Sequence, residues 1–469
     1  MYGFNDDNQE DIGALIARFE KSIRDGISIY FEEEQYEEII SEFFLKNDFY
    51  KTSLAVEKGL EQYPNSVNLN IKKAQLLAAK SNTSQALRIL DRIQNIDPGN
   101  PEIYIARGAI YSQMALSEQA IENFKIAISY QPEDVEDVYF FIAFEYINTN
   151  RYSDAVRYLK KCLSINPDQE NALYELSFCY DILGATEEAI QFFTDFIEET
   201  PYSQAAWFNL GVFYSKADLL EKAIDAYDYA LAIDEDFTTA YFNKANALAS
   251  LYKYKEAIEC YNEALKLEPQ DPAIYYYIGE CYEKLEDFDK ALANYNKSIK
   301  ISPDFADAWM GIGLVLDMQN RLTEGIHYIK KALELEPENA DFWYIFGDIQ
   351  YKLGFIEEAL EAYKKVVTLD PTNETVWLDY SNILFECVDK VEAIKILADG
   401  IKIYPTNAEL LYRMGGYLLL MGQKHDAVEF LQQALELNYE KHNELFEYLP
   451  LLKDNNTVLE LIQSYKKNK

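Results

Sequence analysis

Histidine is nearly absent: the chain carries only His327, His425 and His442 in 469 residues. They stand far apart and none has a spacing such as H-E-x-x-H, so no histidine-based metal site is expected. Phosphate-cradling G-x-x-x-x-G-K-[ST], nucleophile-elbow G-x-S-x-G and dinucleotide G-x-G-x-x-G patterns are missing as well. The expectation is a protein that is not an enzyme, with no cofactor and no metal. Cysteine is sparse: Cys162, Cys179, Cys260, Cys281 and Cys387 form no C-x-x-C pair and no secreted framework. Cys162 reads as a small core residue. Positive charge is short too: 43 Lys and Arg stand against 80 Asp and Glu, a net charge of −37. Phosphate binding needs clustered cations, so nucleic acid and anionic membrane are poor partners. The Lys466–Lys469 tail is too short to reverse this. No apolar run approaches the roughly 20 residues of a membrane helix. The opening MYGFNDDNQEDI is acidic and lacks a signal pattern, which points to the cytoplasm.

What the chain does have is a beat. Ten prolines, Pro64, Pro98, Pro132, Pro167, Pro201, Pro269, Pro303, Pro337, Pro371 and Pro405, step by 34, 34, 35, 34, 68, 34, 34, 34 and 34 residues. The step of 68 is two periods, with Glu235 at the skipped place. The step of 35 holds one extra residue near Glu133–Val135. Small residues keep the same register. One ladder is Ala74, Gly108, Ala143, Ser177, Gly211, Ala245, Gly279, Gly313, Gly347, Ser381 and Gly415. A second runs Ala86, Ala120, Ala155, Ala189, Ala223, Ala257, Ala291, Gly325, Ala359, Ala393 and Ala427. Twelve units follow, starting near Glu33, Val67, Pro101, Glu136, Glu170, Gln204, Thr238, Pro272, Ala306, Ala340, Glu374 and Ala408. The first is degenerate, with Ile40 and Thr52 at its small positions.

The unit from Gln204 to Phe237 is the clearest. Trp207, Leu210, Gly211 and Tyr214 are spaced as W-x2-L-G-x2-Y, and Ala223, Tyr227 and Ala230 follow at helical spacing. This resembles the tetratricopeptide repeat, a helix pair with a 34-residue period. Large residues fill one face of each helix, and small ones mark where two helices come close. Such a pair cannot bury its apolar face alone, so neighbours must stack on it. The resemblance covers about nine tenths of the chain. It implies an all-α solenoid, a right-handed superhelix of stacked antiparallel helix pairs. The acidic, Tyr-rich composition resembles repeat proteins of bacteria.

Three segments are expected: a tail and capping helix at 1–32, twelve repeats at 33–441, and a capping helix pair at 442–469. Residues 1–10 read as a mobile tail. Ile12, Leu15, Ile16, Phe19 and Ile23 predict an amphipathic helix over Asp11 to about Asp25, and Ser28–Phe31 reads as a short extended run. Gly184, Gly354 and Gly422, or polar pairs such as Glu286–Asp287 and Asn320–Arg321, mark turns within the pairs. In the C-terminal pair, Pro450 falls inside or at the end of the first helix.

With no chemistry in view, the function lies in a surface. The resemblance implies that first helices line a concave groove for peptides or short helices, with the fifth residue of each repeat pointing into it. From the fourth repeat on, that position reads Phe140, Tyr174, Phe208, Phe242, Tyr276, Met310, Tyr344, Leu378 and Tyr412. Phe144, Phe178, Asn209, Asn243 and Asn246 stand beside the row. Further along come Glu280, Glu283, Asp307, Asp317, Asp341, Asp348, Asp379 and Glu386. The expected peptide-binding set is therefore Phe140, Phe144, Tyr174, Phe178, Phe208, Asn209, Phe242, Asn243, Asn246, Tyr276, Glu280, Tyr344 and Asp348. Aromatic rings give contact area at low entropy cost, and asparagine both donates to and accepts from a backbone. The same residues also suit packing between adjacent first helices, and both roles stand at this point. Co-chaperone clamps of this family hold a C-terminal carboxylate with Lys at a fifth position. No fifth position here is Lys, which argues against that ligand. The expected function is a non-catalytic scaffold binding a protein or peptide with apolar and basic segments. The alternative is an accessory subunit that recruits substrate to a partner transferase or protease.

Overall fold

The computed structural model describes residues 12–468. The tail expected at 1–10 lies outside them. Among the described residues the chain is helical, without a strand, and forms two compact units, Met1–Glu235 and Asp236–Lys469. Each holds six antiparallel helix pairs stacked as an all-α solenoid.

The first unit opens with the helix Ile12–Asp25, whose Leu15 and Phe19 are buried. Phe19 meets the edges of Phe31 and Tyr36, at 5.8 and 6.3 Å between ring centres. The Ser28–Phe31 run forms no strand. Its backbone is held instead by the Gln62 amide, which donates to the Ile29 carbonyl at 3.0 Å and accepts from the Phe31 N–H. Ile40 and Thr52 of the degenerate first repeat are fully buried.

The ladder of small residues is explained by ring contacts. A Cβ added at Gly108 would stand 2.5 Å from the Phe124 ring, and one at Gly211 would stand 2.6 Å from Tyr227. In the second unit, Gly279 meets Tyr295 at 2.6 Å, and Gly311 meets the same ring at 2.7 Å. These second helices thus send a ring, and others an aliphatic side chain such as Ile329 at Gly313 or Leu431 at Gly415, into a groove that only a small residue leaves open.

The proline ladder has a partner the spacing did not reveal. All four tryptophans stand six residues after a ladder proline and donate their indole N–H to its carbonyl. These bonds are Trp207 to Pro201, Trp309 to Pro303, Trp343 to Pro337 and Trp377 to Pro371, at 2.8–3.1 Å. Tyr104 does the same through its hydroxyl to Pro98 at 3.1 Å. The indole N–H thus latches the inter-repeat turn to the helix it starts.

Turns within the pairs follow one rule. The residue fourteen places after the repeat start adopts positive φ and closes the first helix. Glycine serves at Gly184, Gly354 and Gly422, as expected. Elsewhere Ala115, Tyr252 and Glu286, among others, take φ of 56–61°. The extra residue of the third repeat lies in the longer connection 130–134, between Ser117–Ser129 and Val135–Asn148, where Gln131 has φ 54°.

The eleventh repeat departs from this rule. Val388 occupies the position, and a β-branched residue resists the left-handed region. The helix Glu374–Ile383 instead runs into a π turn, Leu384–Val388, which closes with Asp389 N–H on the Leu384 carbonyl at 2.8 Å. Val388→Gly is expected to restore the ordinary ending and raise stability by about 1 kcal/mol or less, read from a thermal melt. A lower melting temperature would mean that the π turn is needed, for example to seat Phe385 flat on Tyr417 at 3.9 Å.

The chain ends with helix His442–Tyr448, a short 3-10 turn Pro450–Leu452 and helix Asn456–Asn468. Pro450 starts the turn and so ends the first helix of the pair. Leu445, Leu449 and Leu452 cover Gly416, where an added Cβ would stand 2.4–3.3 Å from their methyls.

Candidate functional site

In the first unit, the helices Val135–Asn148 and Glu170–Ile182 carry apolar residues on more than one side. Val138, Ile142 and Ala143, and likewise Ala172, Leu173 and Leu176, face the core. That uses one side of each helix and leaves the other to solvent. Phe144 is 45% exposed, Phe178 44% and Tyr174 37%, while Phe140 is half-buried. Phe144 and Phe178 hold equivalent positions in adjacent repeats, as do Phe140 and Tyr174. Phe141, one place along from the expected row, is also exposed and was missed by following the fifth position alone.

Phe208 and Asn209 do not join this surface. They are 8% and 3% exposed. The Phe208 ring packs beside Tyr227 at 5.9 Å, and the Asn209 amide donates to the Ala205 carbonyl of its own helix at 2.8 Å. The expectation that they line an open groove is corrected: the helix interior already uses that hydrogen bond, and the neighbouring second helix covers the ring.

In the second unit the expected residues draw together around a cleft of about 360 Å³. Its walls are the first helices of two successive repeats, Thr238–Ser250 and Pro272–Lys284, and its floor is the second helix Tyr254–Leu267. Asn246 and Glu280 line it with Tyr261, Tyr277 and Lys284. The Tyr261 and Tyr277 rings lie nearly parallel, 12° apart at 6.0 Å. Phe242 backs both, at 5.8 and 5.3 Å. The Tyr261 hydroxyl donates to Asn246 Oδ1, which leaves the Asn246 amide N–H groups outside that bond. Tyr276 donates to Glu280 Oε1 at 3.0 Å. Burial pushes the Glu280 carboxyl up, and the Tyr276 bond opposes that shift. Asn243 is half-buried. Tyr277 and Lys284 lie off the fifth-position row, and the Tyr275–Tyr277 triplet was their only trace in the sequence.

The acids further along are more committed than expected. Tyr344 donates to Asp379 at 2.6 Å, and Tyr295 donates to Glu283 at 2.9 Å. Lys352 holds both Asp348 at 2.8 Å and Asp317 at 2.9 Å. Burial raises the carboxyls of Asp307 and Asp379. Asp348 is thus ion-paired within the chain. Met310, Leu378 and Tyr412 of the fifth-position row are buried.

Among the described residues no group of three or more His, Cys, Asp or Glu is placed to hold a metal ion, and no helix is long and apolar enough to cross a membrane. Cys162 is fully buried, and burial pushes its thiol up to about 12.

Comparison with known proteins returns repeats between residues 101 and 445. Residues 328–445 match the cytochrome c-type biogenesis protein H TPR domain. Residues 101–134, 146–210, 204–237, 272–305 and 306–339 match tetratricopeptide repeats, and 245–286 match a TPR repeat. No curated protein matches the sequence. Among solved structures, the chain is similar to YrrB, described as a TPR protein with an unusual peptide-binding site. The two are 26% identical over 40% of this chain and 96% of that one, with a TM-score of 0.32. The APC/C hetero-tetramer Cut9-Hcn1 is 15% identical over 90% of this chain and 93% of that one, with a TM-score of 0.42. MamA is 24% identical over 43% and 97%, with a TM-score of 0.29.

Proposed function

Because the chain belongs to the tetratricopeptide repeat family, we propose that it is a non-catalytic scaffold that binds a protein partner on the faces of its first helices. One observation carries this reading: Phe144, Tyr174 and Phe178 are partly open to solvent, at 37–45% exposure, on a helix side that the core does not use. Solubility alone gives no reason to keep three exposed aromatic residues in a chain of net charge −37. Rigid aromatic anchors on packed helices are what a protein interface concentrates its energy in. The partner segment that fits is an apolar stretch for the first unit. For the second unit it is a stretch with polar and basic side chains, since Asn246 and Glu280 stand on the corresponding helices there. The protein acts wherever its partner acts, and the absence of metal-ligand spacings and catalytic motifs in the sequence supports a role without chemistry of its own.

Phe144→Ala together with Phe178→Ala tests this. The rings are nearly half exposed, so the helix content and melting temperature are expected to hold. Binding to the natural partner, identified by affinity capture and mass spectrometry, is expected to weaken by about 2 kcal/mol or more for each anchor. Undiminished capture by the double variant would refute the first-helix face as the binding surface.

A further inference from the structure

We propose that the cleft between the first helices Thr238–Ser250 and Pro272–Lys284 is a subsite for one arginine side chain of the bound partner. This rests on the reading that first helices carry the binding surface, and it names what the second unit selects. The cleft offers three things together. Tyr277 gives it a flat aromatic face, backed by the buried Tyr261 ring, 12° from parallel at 6.0 Å. Glu280 gives it a negative charge, with Oε1 fixed by the Tyr276 hydroxyl at 3.0 Å. Asn246 gives it Oδ1, which accepts from the Tyr261 hydroxyl and keeps a second lone pair for another donor.

A guanidinium matches this set better than other side chains. It is planar and weakly hydrated, stacks on aromatic faces, and presents several N–H donors in a plane to a carboxylate. A compact ammonium would use the charge of Glu280 but not the flat Tyr277 ring. A carboxylate ligand would meet Glu280 head on, with Glu283 on the same helix behind it. An apolar side chain would desolvate Glu280 with nothing in return.

The cleft has a cation of its own. Lys284 lines it and stands 3.6 Å from Glu283, whose other oxygen accepts from Tyr295 at 2.9 Å. Lys284 is exposed, so it can swing out when a guanidinium enters. It acts as a competitor for the site, and its removal should favour an incoming cation.

The probes are the peptide acetyl-Gly-Arg-Gly-amide and its citrulline and lysine counterparts, titrated against the full chain at low ionic strength by calorimetry. Citrulline keeps the shape of arginine and removes the charge. The arginine peptide is expected to bind at least about tenfold more tightly than the citrulline peptide, and more tightly than the lysine peptide. Glu280→Gln is expected to abolish the preference over citrulline, and Lys284→Ala to strengthen arginine binding. Tyr277→Leu is expected to reduce arginine to the level of lysine. Glu280→Gln keeps the shape of the side chain, and a circular-dichroism melt checks that the fold holds. Equal binding of arginine and citrulline peptides, or an unchanged preference in Glu280→Gln, overturns the proposal. If the cleft ignores arginine while partner capture still depends on Phe144 and Phe178, this inference fails and the wider reading stands. If capture ignores those rings while arginine binding depends on Glu280, the wider reading fails and the cleft stands.

Discussion

Gly279→Leu is expected to lower the stability of the chain by about 2 kcal/mol. The first atom of any side chain at this position would stand 2.6 Å from two carbons of the Tyr295 ring. The ring cannot step back. On its other side it meets Gly311 of the next repeat, where an added Cβ would be 2.7 Å away, and its hydroxyl is tied to Glu283 at 2.9 Å. Forced overpacking costs about 1–3 kcal/mol, and a site closed on both sides belongs at the upper end. Replacing glycine in a helix interior returns about 0.8–1 kcal/mol, so the net loss is about 2 kcal/mol. Urea unfolding followed by circular dichroism measures it. A midpoint equal to that of the parent would contradict the assignment of Gly279 as a point of close approach. The same reasoning applies to Gly211 and Tyr227 in the first unit.

Leu449→Asp should be more costly and differently distributed. Leu449 is buried in the terminal helix pair and presses on Gly416. A carboxylate there has no partner, and burying it unpaired costs about 3 kcal/mol or more. Because each repeat touches only its neighbours, the damage stays near the end of the array. Hydrogen exchange is expected to rise in His442–Tyr448 and Asn456–Asn468, and in Ala408–Leu420 beneath them, while Thr238–Ser250 keeps its protection. Loss of protection through the whole second unit would mean that the repeats unfold as one block. The contrast between Gly279 and Leu449 is a contrast between the middle and the end of a stack.

How far the sequence reached can be judged residue by residue. The repeat was legible because it is written three times over, in the prolines and in both ladders of small residues. Gly211 and Tyr227, sixteen residues apart, were each read correctly, since only a small residue tolerates the facing ring. The turn positions were legible where glycine or a polar pair such as Glu286–Asp287 stands and not at Tyr252 or Ala115, because those residues accept a positive φ that the array imposes on them. Val388 was opaque for the opposite reason: its side chain refuses the conformation, and the helix changes its winding instead.

The candidate site was harder to read. A fifth position is defined by period, but burial is decided by the neighbouring helix. The period therefore treats Phe208 and Tyr174 alike, although one is buried and the other open. Asn209 carried a second ambiguity, because an asparagine on a helix can spend its donor on the carbonyl four residues back. The cleft at Glu280 depends on which rings stack, and Tyr277 stands outside the row that the period marks.

The central claim is that partners are held on the faces of the first helices. Hydrogen–deuterium exchange on the full chain, with and without its captured partner, tests it most directly. The account predicts slowed exchange in Val135–Asn148 and Glu170–Ile182, and in Thr238–Ser250 and Pro272–Lys284. Exchange in the second helices, such as Thr186–Glu199 and Phe288–Ile301, should stay unchanged. Protection confined to the second helices would contradict it.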